Sequence, residues 1–138
     1  MNRHKREANR WLRQAEYDLE MAIANRGQGF YALTCFLCQQ GAEKALKAYL
    51  YAQGAGPVLG HSTYTLARQS ADYDQAFESV FDICRQLDRH YIPTRYPNGL
   101  PDGIPYEFYT LADADQAVEG LRKVLDTVKE TLSPEIIE

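Results

Sequence analysis

The sequence predicts an all-α fold, an antiparallel up-and-down bundle of four longer helices plus one short helix. Three observations predict it. Apolar residues recur at three- and four-residue spacing through most of the chain. No segment alternates apolar and polar side chains as a half-buried strand does. Glycine- and proline-rich stretches such as "GAGPVLG" and "IPTRYPNGLPDGIP" separate the periodic segments. At 138 residues the chain has the length of one domain, residues 1–138 with a core from about Ala8 to Leu132, and enough material to bury that core.

The first helix is expected from about Lys5 to Asn25. Ala8, Trp11, Leu12, Ala15, Leu19 and Ala22 form its inward stripe, and Gly27 and Gly29 stop it. The second is expected from about Phe30 to Gln53. Its opening "FYALTCFLC" is apolar nearly all round and belongs at the centre of the bundle. Gly41, Ala42, Ala45 and Ala48 then offer a small surface to a close neighbour, and "GAGPVLG" ends the element. A short third helix is expected near Ser62 to Gln69. A fourth, from about Tyr73 to His90, carries Val80, Cys84, Leu87 and Tyr91 on one stripe, and Pro93 and Pro97 forbid its continuation. The last begins at Thr110, where Thr110 and Asp113 have the spacing of a capping box with Asp in place of Glu. It turns Ala114, Val118, Leu121, Leu125 and Val128 inward and ends near Leu132, before Pro134.

Composition bounds the function. Apolar residues at 45% and charged residues at 25% argue against disorder. No apolar run approaches the roughly 18 residues of a membrane span, and the basic "MNRHKREANR" is followed by no signal-peptide core, so a cytoplasmic protein is expected. Three cysteines without framework spacing fit a reducing compartment. A formal net charge of −4 speaks against a general phosphate-binding surface, so an anion site has to be local. Basic residues cluster twice, from Arg3 to Arg13 and from Arg85 to Arg95.

Several constellations bear chemistry. Cys35 and Cys38 have the spacing of a metal or redox pair, but zinc needs four ligands and no second pair exists. They read as buried core, and no metal or cofactor is expected. In "QQGAEKALK", spacing alone favours an i,i+4 pair of Glu43 with Lys47. The functional alternative sets Lys44 and Lys47 against a phosphate and Gln40 against a base or ribose. His61, beside a helix start, reads first as a capping or loop-packing residue. Arg85 and His90 are the residue types of metal-free RNA cleavage, an imidazole for proton transfer and a guanidinium for phosphorane charge. Five residues apart on an intact helix they diverge by about 140°, so they converge only if the helix ends before His90 or if two chains pair. Arg85, Asp88 and Arg89 read as a solvated, ion-paired face. In "RHYIPTRYPNGLPDGIPYEFYT" four prolines stiffen a segment rich in tyrosine. Its rings, Tyr91 and Tyr96 among them, can pack on the bundle while Arg95 is offered to a phosphate.

Asp18 and Leu19 in the first helix, "CQQGAEKALKAYL" in the second, His61 after the following loop and "LDRHYIPTRYPNGLP" together resemble the HEPN domain, the "higher eukaryotes and prokaryotes nucleotide-binding" helical domain, over about Ala8 to Leu132. The resemblance implies an antiparallel bundle of four or five helices, commonly a homodimer, often partnered by a separate minimal nucleotidyltransferase in a toxin–antitoxin module. It implies two activities: binding of a nucleotide or RNA, for which Gln40, Lys44, Lys47, His61, Arg95 and Tyr96 are the candidates, and metal-independent ribonuclease action by an Arg and a His four to six residues apart, a spacing that Arg85 and His90 satisfy. The pattern departs from that of the ribonuclease branch at Ile92, where a tyrosine is usual and Tyr91 comes one residue early. A structural dimerisation module is the third reading.

Overall fold

The computed structural model describes residues 1–137, and among these every regular element is helical. Helix α1, Arg3–Gly27, starts where the Asn2 side chain accepts from the Lys5 N–H, and it buries Ala8, Leu12, Ala15 and Ala22 at helical spacing. Helix α2, Tyr31–Ala52, follows a turn in which Gly29 takes φ 82°. It is the central element, with thirteen of its residues from Thr34 to Leu50 buried. Gly41 makes this possible. A Cβ there would meet Leu121 Cδ2 at 2.9 Å and Asp18 Cβ at 3.4 Å, so its absence lets two neighbouring helices close on one point of α2.

Helix α3, Thr63–Ala71, is capped by the Ser62 hydroxyl, which accepts from the Thr65 N–H. The segment expected as one fourth helix is two. A 3₁₀ helix, Gln75–Val80, capped by Asp74, precedes α4, Phe81–Asp88. The 3₁₀ turn sets Phe77 and Val80, three residues apart, on one side and into the core before α4 adds Cys84 and Leu87. The expected all-α fold stands, and the expected fourth helix is present as α4 with a 3₁₀ turn at its start. Tyr91 is only half-buried.

The proline-rich connection contains helix that the sequence did not suggest. A 3₁₀ turn spans Pro97–Gly99, and a one-turn α5 spans Pro105–Phe108. Pro105 sits where a helix leaves its N–H unused, and the Glu107 carboxylate accepts from the Ile104 N–H at 3.1 Å. Helix α6, Leu111–Thr131, begins with the expected capping box: Thr110 and Asp113 exchange bonds of 2.9 and 3.3 Å. A final turn, α7, Pro134–Ile137, places Ile136 in the core. Among the described residues no helix is long and apolar enough to cross a membrane. Cys35, Cys38 and Cys84 are fully buried and unpaired, and burial pushes the Cys35 and Cys84 thiols up to about 12.

Candidate functional site

A polar row runs along α2. The Gln39 side-chain amide donates to the His61 carbonyl at 2.7 Å, and that of Gln40 donates to Gln39 Oε1 at 2.8 Å and to Glu43 Oε1 at 3.4 Å. Lys47 Nζ donates to Glu43 Oε2 at 3.1 Å, and His61 Nδ1 lies 3.2 Å from Glu43 Oε1. Gln40, Lys47 and His61 therefore meet at one buried carboxylate. Lys44 belongs to a separate pair, donating to Asp18 Oδ2 at 2.7 Å, and Gln14 bonds the other oxygen of Asp18 at 3.0 Å. The two lysines differ in access. The Lys47 side chain is 7% exposed, with its ammonium 5.6 Å from the Trp11 ring centre, whereas that of Lys44 is 24% exposed. Each lysine faces a carboxylate of its own, so the row is compensated in charge.

Beyond the His61 end of the row stands a cluster of rings. The His61 imidazole stacks on Tyr91 at 5.2 Å between centres with 19° between planes, and Tyr91 leans on Phe36 at 6.4 Å. The Arg95 guanidinium lies 4.4 Å from the Phe36 ring centre, 4.7 Å from Tyr91 and 5.2 Å from Tyr96. Its Nε and Nη2 donate to the Tyr91 carbonyl at 2.8 and 2.6 Å. One edge of the fork is thus held at the Tyr91 carbonyl among these rings, while its Nη1 donors have no bonding partner among the described residues and stay free for an anion. Arg95 and Tyr96 are exposed. The loop that carries them is held from beneath by the Thr94 hydroxyl, which is buried and bonded to the His90 carbonyl.

Asp88 is the hub beneath this arrangement. Its carboxylate accepts from the backbone N–H of Thr63 (2.8 Å) and Tyr64 (3.1 Å), from the hydroxyls of Ser62 (2.8 Å) and Thr63 (2.7 Å), and from Gln39 at 3.4 Å. It ties the end of α4 to the start of α3 and to α2, and so sets where His61 emerges. The reading of Arg85, Asp88 and Arg89 as one solvated face is corrected here: Asp88 turns inward because the first N–H groups of α3 have no helical acceptor and need one.

Arg85 and His90 leave α4 toward different neighbours. Arg85 is exposed, pairs with Asp82, donates to the Tyr64 hydroxyl at 2.9 Å and lies 4.3 Å from that ring's centre, beside α3. His90 is half-buried on the α6 side, edge-on to Tyr109 at 5.5 Å, with Nδ1 buried and without a bonding partner. Burial lowers its pKa from the ordinary 6.5. Next to it is a cavity of about 10 Å³ lined by Gln86, Gln116 and Gly120 among others, room for one water at most. Within one chain the pair does not converge. Among the described residues no group of three His, Cys, Asp or Glu is placed to hold a metal ion.

Sequence reading missed Phe36 and Asp88 as parts of this region. Phe36 looked like one more core residue of "FYALTCFLC". Asp88 stood in the motif "LDRHYIPTRYPNGLP" and near the end of an expected helix, but neither signal distinguished it from a surface carboxylate.

Comparison with known proteins gives a consistent picture. The HEPN domain family profile matches residues 8–131. The candidate toxin MJ1304 of Methanocaldococcus jannaschii is 26% identical over 134 residues, covering 91% of this chain and 88% of its own length. Among solved structures, TT1696 from Thermus thermophilus superposes with a TM-score of 0.88 at 37% identity, covering 92% of this chain and 99% of its own. The archaeal HEPN homologue ST0689 gives 0.77 at 37% identity, covering 92% and 98%. A HEPN domain protein of Thermotoga maritima gives 0.73 at 29%, covering 91% and 98%.

Proposed function

Because the chain belongs to the HEPN domain family, we propose that it binds a nucleotide or an RNA phosphate and serves as the toxin-like component of a module with a minimal nucleotidyltransferase. The observation that carries the ligand is the exposed Arg95 fork, held among the Phe36, Tyr91 and Tyr96 rings with donors to spare. A phosphate takes those donors, and a base stacks on Tyr96 or on the exposed His61. Lys44, the more open of the two lysines, is the second phosphate contact; Gln40 and Lys47 hold the wall behind it. The toxin-like role is supported by the name of the Methanocaldococcus relative; the nucleotidyltransferase is supported by family analogy alone.

The test is titration of the purified protein with ATP, GTP and a short labelled RNA. Losing bonds to a charged group worth about 1.5–3 kcal/mol, Arg95→Ala weakens binding roughly ten- to a hundredfold. Arg95→Lys recovers only part, because an ammonium does not stack as a planar fork does. Saturable binding indifferent to Arg95→Ala would remove the site. The partner is tested by co-expression: purification without any nucleotidyltransferase, when its gene is supplied, counts against the module.

One observation favours ribonuclease action as a second reading. Burial disfavours the charged form of the His90 imidazole, which lies edge-on to Tyr109, and a general base needs the neutral form. The geometry then demands Arg85 from a second copy of the chain. Cleavage of end-labelled RNA in EDTA, abolished by Arg85→Ala and by His90→Ala but partly restored on mixing the two variants, is the expected signature. Absence of cleavage by the unmutated protein ends this reading.

A further inference from the structure

We propose that the outer face of α1 is a second polyanion-binding surface, built for the phosphate backbone of single-stranded RNA. Residues 1–13 hold five Lys and Arg against one acid, Glu7, while the remaining chain holds ten Lys and Arg against eighteen acids. The net negative charge therefore hides a strong polarity, with the positive end on α1. The spacing of the arginines concentrates it further. Arg3, Arg6, Arg10 and Arg13 follow one another at three, four and three residues, which keeps them within an arc of about 80° and strings them over about 15 Å of helix. All four are exposed, and among the described residues Arg3 and Arg13 have no ion-pair partner.

The stripe runs into an open groove of about 830 Å³ lined by Arg10, Trp11, Arg13, Gln14, Tyr17 and Lys44. Tyr17 continues the same arc, is 53% exposed, and enters no ring pair among the described residues. The acids along the groove are mostly engaged: Glu7 accepts from Arg10 (3.0 Å) and from the Trp11 indole (3.1 Å), and Glu16 pairs with Lys129 at 3.6 Å. Glu20 marks the far end. Arginines in a row with an exposed ring beside them suit a single strand, whose phosphates take the guanidinium forks and whose bases stack. An acidic protein surface would use the charges and leave the ring without purpose. This surface shares no residue with the Arg95 platform except Lys44 at its edge, and it stands or falls separately.

The test is fluorescence anisotropy of a labelled single-stranded RNA of about twelve nucleotides across a salt series, with ATP titrated in parallel. Each phosphate contact on a single strand contributes about −0.7 to the slope of log K against log salt. Arg10→Gln/Arg13→Gln reduces the slope by about 1.4, so between roughly 50 and 200 mM salt the unmutated protein loses about sevenfold more affinity than the variant does. Tyr17→Ala weakens RNA binding without changing the slope. ATP binding, read at the Arg95 platform, is unchanged in both; if ATP fails to bind the unmutated protein and RNA binding is indifferent to Arg95→Ala while the RNA slope still responds to Arg10 and Arg13, the platform reading fails and this one survives. RNA binding with an unaltered slope in the double variant, or none at all in the unmutated protein, overturns the proposal. So does poly-glutamate competing on equal terms with RNA, an outcome that assigns the face to an acidic protein.

Discussion

Replacing Asp88 distinguishes two views of the end of α4. If Asp88 were part of a solvated, ion-paired face, its loss would cost less than about 0.5 kcal/mol. The structure gives a different magnitude. Asp88→Ala removes the acceptor of two backbone N–H groups at the start of α3, at 2.8 and 3.1 Å, and of the Ser62 and Thr63 hydroxyls. Loss of a helix cap costs about 1 kcal/mol, and donors left unpaired in a part-buried place add about 1–3 kcal/mol. The total is about 3 kcal/mol, because Ser62 and Tyr64 are only half-buried and water can repair some of the damage. Asp88→Asn keeps one acceptor oxygen and loses the charge, for about half that cost. Unfolding entropy for 138 residues is about 0.3 kcal/mol per kelvin, so Tm falls by about 10 °C for the alanine and about 5 °C for the asparagine. Urea denaturation followed by circular dichroism, with unchanged m, measures this directly. Two variants within about 0.5 kcal/mol of the unmutated protein would refute the role of Asp88 as a hub.

Other outcomes follow from buried groups. Glu43→Gln leaves the Lys47 ammonium, 7% exposed, without its counter-charge and destabilises by about 3 kcal/mol, while Glu43→Gln/Lys47→Met recovers most of it; a single variant as stable as the unmutated chain would show Lys47 reaching water. His90 is held below its ordinary pKa of 6.5 mainly by burial, partly offset by Asp113 and reinforced by Arg89. The unfolded chain therefore binds the extra proton first, so stability from this group is present above pH 6.5 and falls as pH drops below it. Denaturation midpoints at neutral and mildly acid pH should converge in His90→Gln relative to the unmutated protein. The three buried thiols, with Cys35 and Cys84 pushed up to about 12, should react with a disulfide reagent only on unfolding; one rapidly titrating thiol in the native protein would contradict their burial.

The features legible in the sequence are those whose causes lie within one turn of helix. The inward stripe of α1, the Thr110–Asp113 capping box and the Glu43–Lys47 pair all join residues three or four apart, and each appears in the structure. Local rules erred where packing chose between nearly equal backbones. The chain before α4 takes 3₁₀ form with both Phe77 and Val80 in the core, and one helical turn appears at Pro105 where proline suggested none. The candidate site depended most on long-range contact. Thr63 meets Asp88 across 25 residues and Gln39 meets it across 49. Phe36 and Tyr91 come together from different elements, with Arg95 lying against both rings. A sequence states which side chains are able to carry charge, donate or stack. Which of them spend that capacity on a buried partner, as Lys47 and Asp88 do, and which keep it facing water, as Arg95 and Arg13 do, is decided only when distant segments close on one another, because the unmet hydrogen bonds of one helix end select the acceptor that another helix supplies.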